Sequence, residues 1–325
     1  MLFRRHLLSI LAALSAIFAG CGGKDAGKAQ EGPLRVRFQT DWFPQAEHGG
    51  FYYAYAMGYY AEEGLDVEIM PGGLTYMGAL KITESKADFA MHKAEAIMRH
   101  ADRGMPLRIV MATLQHDPQG IMLHAESPIK SFRYLDGAPL MAMPGGTFLA
   151  YLKQKFDAEP VIIPSDKGME RFLSDPTLAQ QCMLTSEPFY AKQHGVDTRV
   201  LLLRDGGLDA YHVIYTSADF AKEHPEAVNA FVRASIRGWK DYLTKDPTPA
   251  FDTIKQLNPR QSDELLNYAR DTLRDGGFAY GDNIDDYGKI SDARMSGLAK
   301  QLLDLGIIQH MPDAEELWGL APKDN

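Results

Sequence analysis

Cysteine is nearly absent: Cys21 and Cys182 are the two in 325 residues. They form no CxxC, no Cys/His cluster with zinc spacing and no iron–sulfur spacing, so neither metal nor cofactor is expected. If Cys21 carries a lipid, Cys182 stands alone and no internal disulfide forms. Its apolar strand context then suits a small core residue better than a reactive thiol. Basic charge is also scarce. With 34 Lys and Arg against 43 Asp and Glu, the formal charge is −9 and no basic stripe exists to grip phosphate backbones, which sets nucleic-acid binding aside. Catalytic signatures are missing too: there is no GxSxG elbow, no HExxH, no Walker loop and no GxGxxG after a strand. His116-Asp117 is the one adjacent His–acid pair, and strand neighbours point to opposite faces, so it is not evidence of a dyad. Glu62-Glu63 and Asp285-Asp286 read as solvated surface. Gly at 29 and Pro at 18 are close to average and exclude collagen-like or linker-dominated chains.

What is present begins with a leader. A short basic start (Arg4, Arg5, His6) precedes an apolar run from Leu7 to Ala19, whose 13 residues suit a signal-peptide core and fall short of the roughly 20 a bilayer span needs. The run ends Ile17-Phe18-Ala19-Gly20-Cys21, which looks like a bacterial lipobox with Phe18 where Leu, Val or Ile is usual. A plain secretory signal in which Cys21 has no role is the alternative. Removing residues 1–20 takes away two arginines and no acid, leaving 32 basic and 43 acidic side chains and a charge of −11. Residues 21–32 continue small and polar, as a tether. No later segment holds 18 consecutive apolar residues, so a lipid on Cys21 would be the sole membrane attachment.

Beyond the tether, β-rich apolar runs alternate with helical stretches, the pattern of an α/β chain with largely parallel sheets. Strands are expected at Leu34–Gln39, Leu65–Met70, Ala87–Met91, Leu107–Leu114, Gly120–His124, Pro139–Met143, Val161–Pro164, Cys182–Leu184, Val200–Leu203 and His212–Thr216. Helices are expected at Gly49–Gly58, Thr75–Thr83, Ala94–Arg103, from Thr147 to near Phe156, and at Asp166–Leu173. From Pro225 the chain turns helical. Val228, Phe231, Val232, Ile236, Trp239 and Tyr242 recur along one core-facing stripe, and helices follow at Pro249–Gln256, Ser262–Asp275 and Ser291–Leu305. Two lobes joined by crossing segments near Thr113–Gln119 and Tyr211–Ser217 fit this order. Residues 33–118 with 214–325 would form lobe one, and 119–213 lobe two. Such lobes enclose ligands at strand carboxyl ends by hinge closure.

The stretch Thr40-Asp41-Trp42-Phe43-Pro44-Gln45-Ala46-Glu47-His48-Gly49-Gly50 follows the first strand and so sits where a cleft would be. Trp42 and Phe43 offer flat faces for a planar ring, and Asp41 and His48 offer directional hydrogen bonds. The two glycines permit close backbone approach, and the helix after them presents free N–H groups. The bland alternative has Trp42 in the core and Asp41 capping a turn. Pro144-Gly145-Gly146-Thr147 joins a strand to a helix, so its N–H groups and the Thr147 hydroxyl suit a carbonyl or an anion, or else a simple capped turn. Glu187, with Tyr190 after it, accepts from N–H donors and repels a sulfonate or nitrate, unless it serves only its own helix dipole. Tyr76, His92, His116, Asp209 and Tyr211 lie at expected strand ends and complete the candidate set.

The run TDWFPQAEHGGFYYAYAMGYYAEEGLDVEIMPGG resembles the opening of bacterial periplasmic binding proteins related to thiamine pyrimidine synthase. The resemblance continues through Lys86-Ala87-Asp88-Phe89, Ser186-Glu187-Pro188 and His224-Pro225-Glu226-Ala227-Val228, over most of residues 34–256. It implies a two-lobe, type II venus-flytrap fold with two crossover strands, serving an ABC permease and ATPase as a monomer at the periplasmic face of the cell membrane. A thiamine-precursor pyrimidine would be the cargo. In that family the Gly145-Gly146-Thr147 turn faces the ligand. The same superfamily holds an enzyme that builds the thiamine pyrimidine from its own histidine and pyridoxal phosphate. The position of its cofactor lysine aligns here with His92, beside Lys93, and that of its donor histidine with Ala96. Its cysteine-rich segment falls near Leu208–Tyr215, where no cysteine stands. These departures and the export signal argue for a binding protein, with the synthase as the rival class. Riboflavin, an alkanesulfonate or nitrate are the rival cargoes, and a lipoprotein without a transporter is the third alternative.

Overall fold

A computed structural model of the chain describes residues 32–165 and 168–323. The expected leader, Cys21 and the tether up to residue 31 lie outside the described residues. In chain order the strands are β1 (Leu34–Gln39), β2 (Leu65–Met70), β3 (Phe89–Lys93), β4 (Leu107–Leu114), β5 (Gln119–His124), β6 (Pro139–Ala142), β7 (Val161–Pro164), β8 (Ala179–Met183), β9 (Thr198–Leu202) and β10 (His212–Ser217). They form two five-stranded sheets, ordered β2-β1-β3-β10-β4 and β7-β6-β8-β5-β9. β1 runs parallel to β2 and β3, whereas β10 runs antiparallel to both β3 and β4. In the second sheet β6 is parallel to β7 and β8, and β5 is antiparallel to β8 and β9. This is an α/β fold with two mixed sheets.

Side-chain alternation explains the strands. In β1, Val36 and Phe38 are fully buried, while Arg35 reaches Glu68 at 2.9 Å and Arg37 grips both Asp88 carboxylate oxygens. β4 (LRIVMATL) is buried on both faces because helices cover each side. On one side the 20-residue helix Pro225–Thr244 buries Phe231, Trp239 and Tyr242, with Phe231 stacked on Phe89 at 4.2 Å. On the other, Ile97, Met295, Leu302 and Trp318 share a second core. The expected Trp239 stripe is therefore core.

Crossings between sheets run through residues 115–118 and 203–211. β10 lies wholly in the first sheet from His212, so the second crossing precedes the segment expected at Tyr211–Ser217. The strands expected at Ala87–Met91 and Val200–Leu203 are shifted by one or two residues, to Phe89–Lys93 and Thr198–Leu202, and three further elements differ more. The helix placed at Thr75 begins at Gly78, because the Tyr76 hydroxyl is drawn inward onto the Met91 carbonyl at 2.6 Å and holds 74–77 out of the helix. The strand placed at Cys182–Leu184 is Ala179–Met183: its polar Gln180 and Gln181 hid it, and Leu184 instead donates to the Pro118 carbonyl. The helix placed at Asp166–Leu173 spans Glu170–Ser174, with residues 166 and 167 outside the described set. Among the described residues no helix is long and apolar enough to cross a membrane.

Candidate functional site at the strand ends

Asp41 leaves the carboxyl end of β1 on a loop fixed by its neighbours. Thr40, fully buried, donates its N–H to the Met70 carbonyl, and its hydroxyl oxygen accepts the Gly72 N–H, both at 3.0 Å. A side chain at Gly72 would stand 2.4 Å from the Thr40 carbonyl, so the Pro71-Gly72-Gly73 turn needs glycine there. His48 is fully buried and its Nε2 lies 3.0 Å from Asp41 Oδ1, while the Asp41 side chain keeps 20% exposure. His48 Nδ1 has no partner among the described residues, which makes Nε2 the proton donor to Asp41. Burial pushes the Asp41 carboxyl up, but the His48 hydrogen bond and the fields of His48, His212 and His92 outweigh it and hold the group below its ordinary range.

Three further rings converge here. His92, near the end of β3, meets the Tyr76 ring edge-on at 5.0 Å, and the Tyr76 hydroxyl lies 2.8 Å from that of Tyr215 on β10. Burial pushes the His92 imidazole down to about 4, so it is neutral at physiological pH. Both phenols are pushed up, chiefly by burial. Gly78 is fixed by the same cluster: a Cβ there would sit 1.8 Å from the Tyr76 hydroxyl. The structure thus brings Asp41, His48, His92 and Tyr76 together and adds His212 and Tyr215, which sequence reading missed. The irregular register of β10 against β4 around His212 and Tyr215 is a long-range feature with no local signal.

Beneath them, Lys93 ties the sheets together. Its ammonium donates to Asp117 at 2.6 Å and to the side-chain oxygen of Gln119, the first residue of β5, and His212 approaches Asp117 at 3.4 Å. Burial opposes ionisation of Asp117, but Lys93 and His212 hold its carboxyl far below the usual range. Glu95, two residues on, is pushed up by burial and is met by the Thr147 side chain from the second sheet's side.

The Trp42 and Phe43 rings meet edge-on at 5.6 Å, and Phe43 is 44% exposed, lying against Gly73. Gly145 is exposed and left-handed (φ 76°), and Gly146 and Thr147 open the helix Thr147–Phe156. Glu187 Oε2 accepts from the Met183 N–H at 2.8 Å and the Ser186 hydroxyl at 2.5 Å, so that oxygen serves its own turn; burial pushes this carboxyl up. Tyr190 follows on the same helix, its ring 5.9 Å from that of Phe189. His116, Asp209 and Tyr211 form a separate group on the crossing segments, gathered by Arg294. Asp209 Oδ2 lies 2.5 Å from His116 Nδ1 and 3.1 Å from the Arg294 guanidinium, which sits 4.1 Å above the Tyr211 ring. Gly49 and Gly50 do not face the cleft. Side chains there would collide with Tyr242 (2.2 Å) and Trp239 (2.0 Å), and the Gly49 N–H is taken by the Ala46 carbonyl, because the helix packs tightly on Pro225–Thr244. Among the described residues no group of three or more His, Cys, Asp or Glu is arranged to hold a metal.

An ionised Asp41 offers an acceptor, and the neutral His92, whose Nδ1 accepts the Lys93 N–H at 2.8 Å, offers a donor; the Tyr76 hydroxyl is committed to the Met91 carbonyl and Tyr215 is fully buried, and no fixed cation stands among these groups for an anion. A family model described as NMT1/THI5 like matches residues 45–250. The riboflavin-binding protein RibY of Chloroflexus aurantiacus is 27% identical over 262 residues, 77% of this chain and 74% of that protein. The formylaminopyrimidine-binding protein of Halalkalibacterium halodurans is 26% identical, covering 76% and 77%. The yeast 4-amino-5-hydroxymethyl-2-methylpyrimidine phosphate synthase THI12 (Saccharomyces cerevisiae) is 24% identical over 71% and 73%. Among solved structures, the periplasmic aliphatic sulphonate binding protein SsuA of Escherichia coli superposes with a TM-score of 0.64 at 12% identity, over 88% of this chain and 98% of that one. That likeness establishes a periplasmic-binding-protein fold.

Proposed function

The chain belongs to the NMT1/THI5-like family, and from that premise we propose that it is the extracytoplasmic substrate-binding component of an ABC-type importer, closing two lobes around a small planar heterocycle. Residues 33–118 and 214–325 act as one lobe and 119–213 as the other, apart from His212 and Val213, which pair in the first sheet. Cys21 carries the lipid that holds the protein at the periplasmic face of the membrane, where it docks as a monomer on a permease with its ATPase. The cargo is an aminopyrimidine of the thiamine-precursor type. Asp41 and His92 read its polar edge, Trp42 and Phe43 cover its face, and Thr147 and Glu187 close from the second lobe.

The observation that carries this reading is the Asp41–His48 pair: an ionised carboxylate, oriented by a fully buried imidazole, at the carboxyl end of β1. Such a group accepts from a ring amino donor and repels sulfonate or nitrate. The binding role is supported over the synthase by His92 and Ala96 at the enzyme's lysine and histidine positions, and by Lys93 being spent on Asp117 and Gln119. One observation favours a second cargo of the same class, a larger isoalloxazine-like ring. Phe43, Leu74 (66% exposed) and Met77 (50%) leave an apolar rim after β1 and β2 that a pyrimidine would not cover.

Thermal unfolding of the protein lacking residues 1–20 tests this reading against aminopyrimidine thiamine precursors, thiamine, riboflavin, taurine and nitrate. Cargo at ~100-fold over its dissociation constant stabilises by about 2.7 kcal/mol, a shift of several degrees. A shift with the pyrimidines is expected. A shift with taurine or nitrate alone would overturn the cargo class.

A further inference from the structure

Glu47 is a buried carboxylate (7% exposed) that forms no salt bridge among the described residues. It sits in the short turn Ala46–His48, beside the imidazole that orients Asp41, and this turn packs on the helix Asp263–Asp275. Its Oε1 accepts instead from the hydroxyl of Thr185, which is 1% exposed and follows β8 in the second sheet. A second tie lies alongside: the Tyr268 hydroxyl, from the helix Asp263–Asp275, donates to the Leu184 carbonyl at 3.0 Å, with the Phe189 and Tyr268 rings 5.2 Å apart. The turn that presents Thr185 is shaped from within, by Glu187 accepting from Met183 and Ser186. One jaw is therefore the 46–48 turn with Tyr268; the other is the 184–187 turn.

We propose that Glu47 and Thr185 form the latch that holds the two lobes shut on the cargo, with Tyr268 on Leu184 as its second point. The inference rests on the two-lobe binding reading above. A buried carboxylate bonded to a neutral hydroxyl is a costly way to stabilise a permanent core, since removing it from water is only partly offset. It suits a contact that forms and breaks, because water solvates both groups as soon as the jaws part. A hydrogen bond present in one of two states biases the equilibrium toward that state by its net strength over the solvation its groups gain in the other. His116 and Asp209 lie on the crossing segments and are gathered by Arg294, a group that shares no residue with this contact. Cargo thus meets its polar readers at Asp41, and the neighbouring Glu47 fixes how long it stays.

Thr185→Val removes the hydroxyl at nearly constant volume, and Thr185→Ser restores it. Small-angle scattering without cargo reads the open fraction, and stopped-flow fluorescence with a bound cargo from the panel above reads release. Thr185→Val is expected to enlarge the radius of gyration and to speed release about tenfold, the scale of one hydrogen bond to a charged group, with association unchanged. Thr185→Ser should match wild type, and Glu47→Gln, which keeps an acceptor oxygen, should fall between. Thr185→Val with wild-type dimensions and release, and only a lowered melting temperature, would make the contact merely structural and overturn the proposal. If no compound in the panel binds wild type, the cargo reading fails by itself and the scattering comparison still decides the latch.

Discussion

At the scale of single residues, the site is a set of titrating groups whose environments separate them in pH. His92, held near 4 by burial against an ordinary value of 6.5, must be neutral in the folded protein, so the unfolded chain binds its proton first. Its contribution is complete above pH ~6.5 and falls as pH drops toward ~4. Asp41 acts in the same direction at lower pH: its lowered carboxyl adds stability above the unfolded value of ~3.9, and that is lost as pH falls further. Melting temperatures across pH 3–7 should therefore show two windows. His92→Gln is expected to flatten the decline between pH 6.5 and 4 and leave the one below 4. Asp41→Asn is expected to flatten the lower window and to cost about 1.5–3 kcal/mol at neutral pH, the scale of a charge-assisted hydrogen bond. A His92→Gln profile parallel to wild type throughout would refute the burial argument.

At the scale of elements, the Asp41 loop is held in place by the helix that follows it. Gly49–Ala56 lies so close to Pro225–Thr244 that the rings of Trp239 and Tyr242 occupy the space where side chains at Gly50 and Gly49 would begin, and Gly238 fits against Ala54 from the other side. Gly50→Ala is expected to destabilise by at least ~2–3 kcal/mol through overpacking, read as a lower urea midpoint with little change in slope. A neutral Gly50→Ala would mean that this helix pair adjusts freely. The elements themselves were largely legible: β1, β2, β4 and β7 are found where alternation or β-rich runs place them, because their burial is local and periodic. The two glycines were legible as a close approach, but not as an approach to aromatic side chains 189 and 193 residues downstream. Likewise β8 was half-hidden, since AQQCM sets two glutamines in a strand, Gln180 buried with its amide on the Met169 sulfur and Gln181 accepting from the Met143 N–H.

At the scale of the whole molecule, alternation of strands and helices pointed to two sheets, and the topology agrees. What sequence could not supply is how the sheets are joined. β10 enters the first sheet between β3 and β4, and this is what sets His212 and Tyr215 beside the ends of β1 and β3. The Asp41 cluster was thus readable in its local half (Asp41, His48), while its distant half depends on that insertion. Lys93 expresses the same long-range order, pairing β3 with Asp117 on the first crossing. Lys93→Met would leave Asp117, 4% exposed, as a buried charge short of its cation. A loss of about 3–5 kcal/mol in urea unfolding is expected. Less than ~1 kcal/mol would mean that the joint between the sheets is held elsewhere.

The central claim is that an ionised Asp41 selects a donor-bearing heterocycle. Isothermal titration of formylaminopyrimidine at neutral pH into wild type and Asp41→Asn tests it most directly, with an alkanesulfonate titrated in parallel. The pyrimidine is expected to bind wild type saturably and Asp41→Asn at least tenfold more weakly, and the sulfonate to give no heat of binding. Sulfonate binding to wild type, or a pyrimidine affinity that Asp41→Asn leaves unchanged, would contradict it.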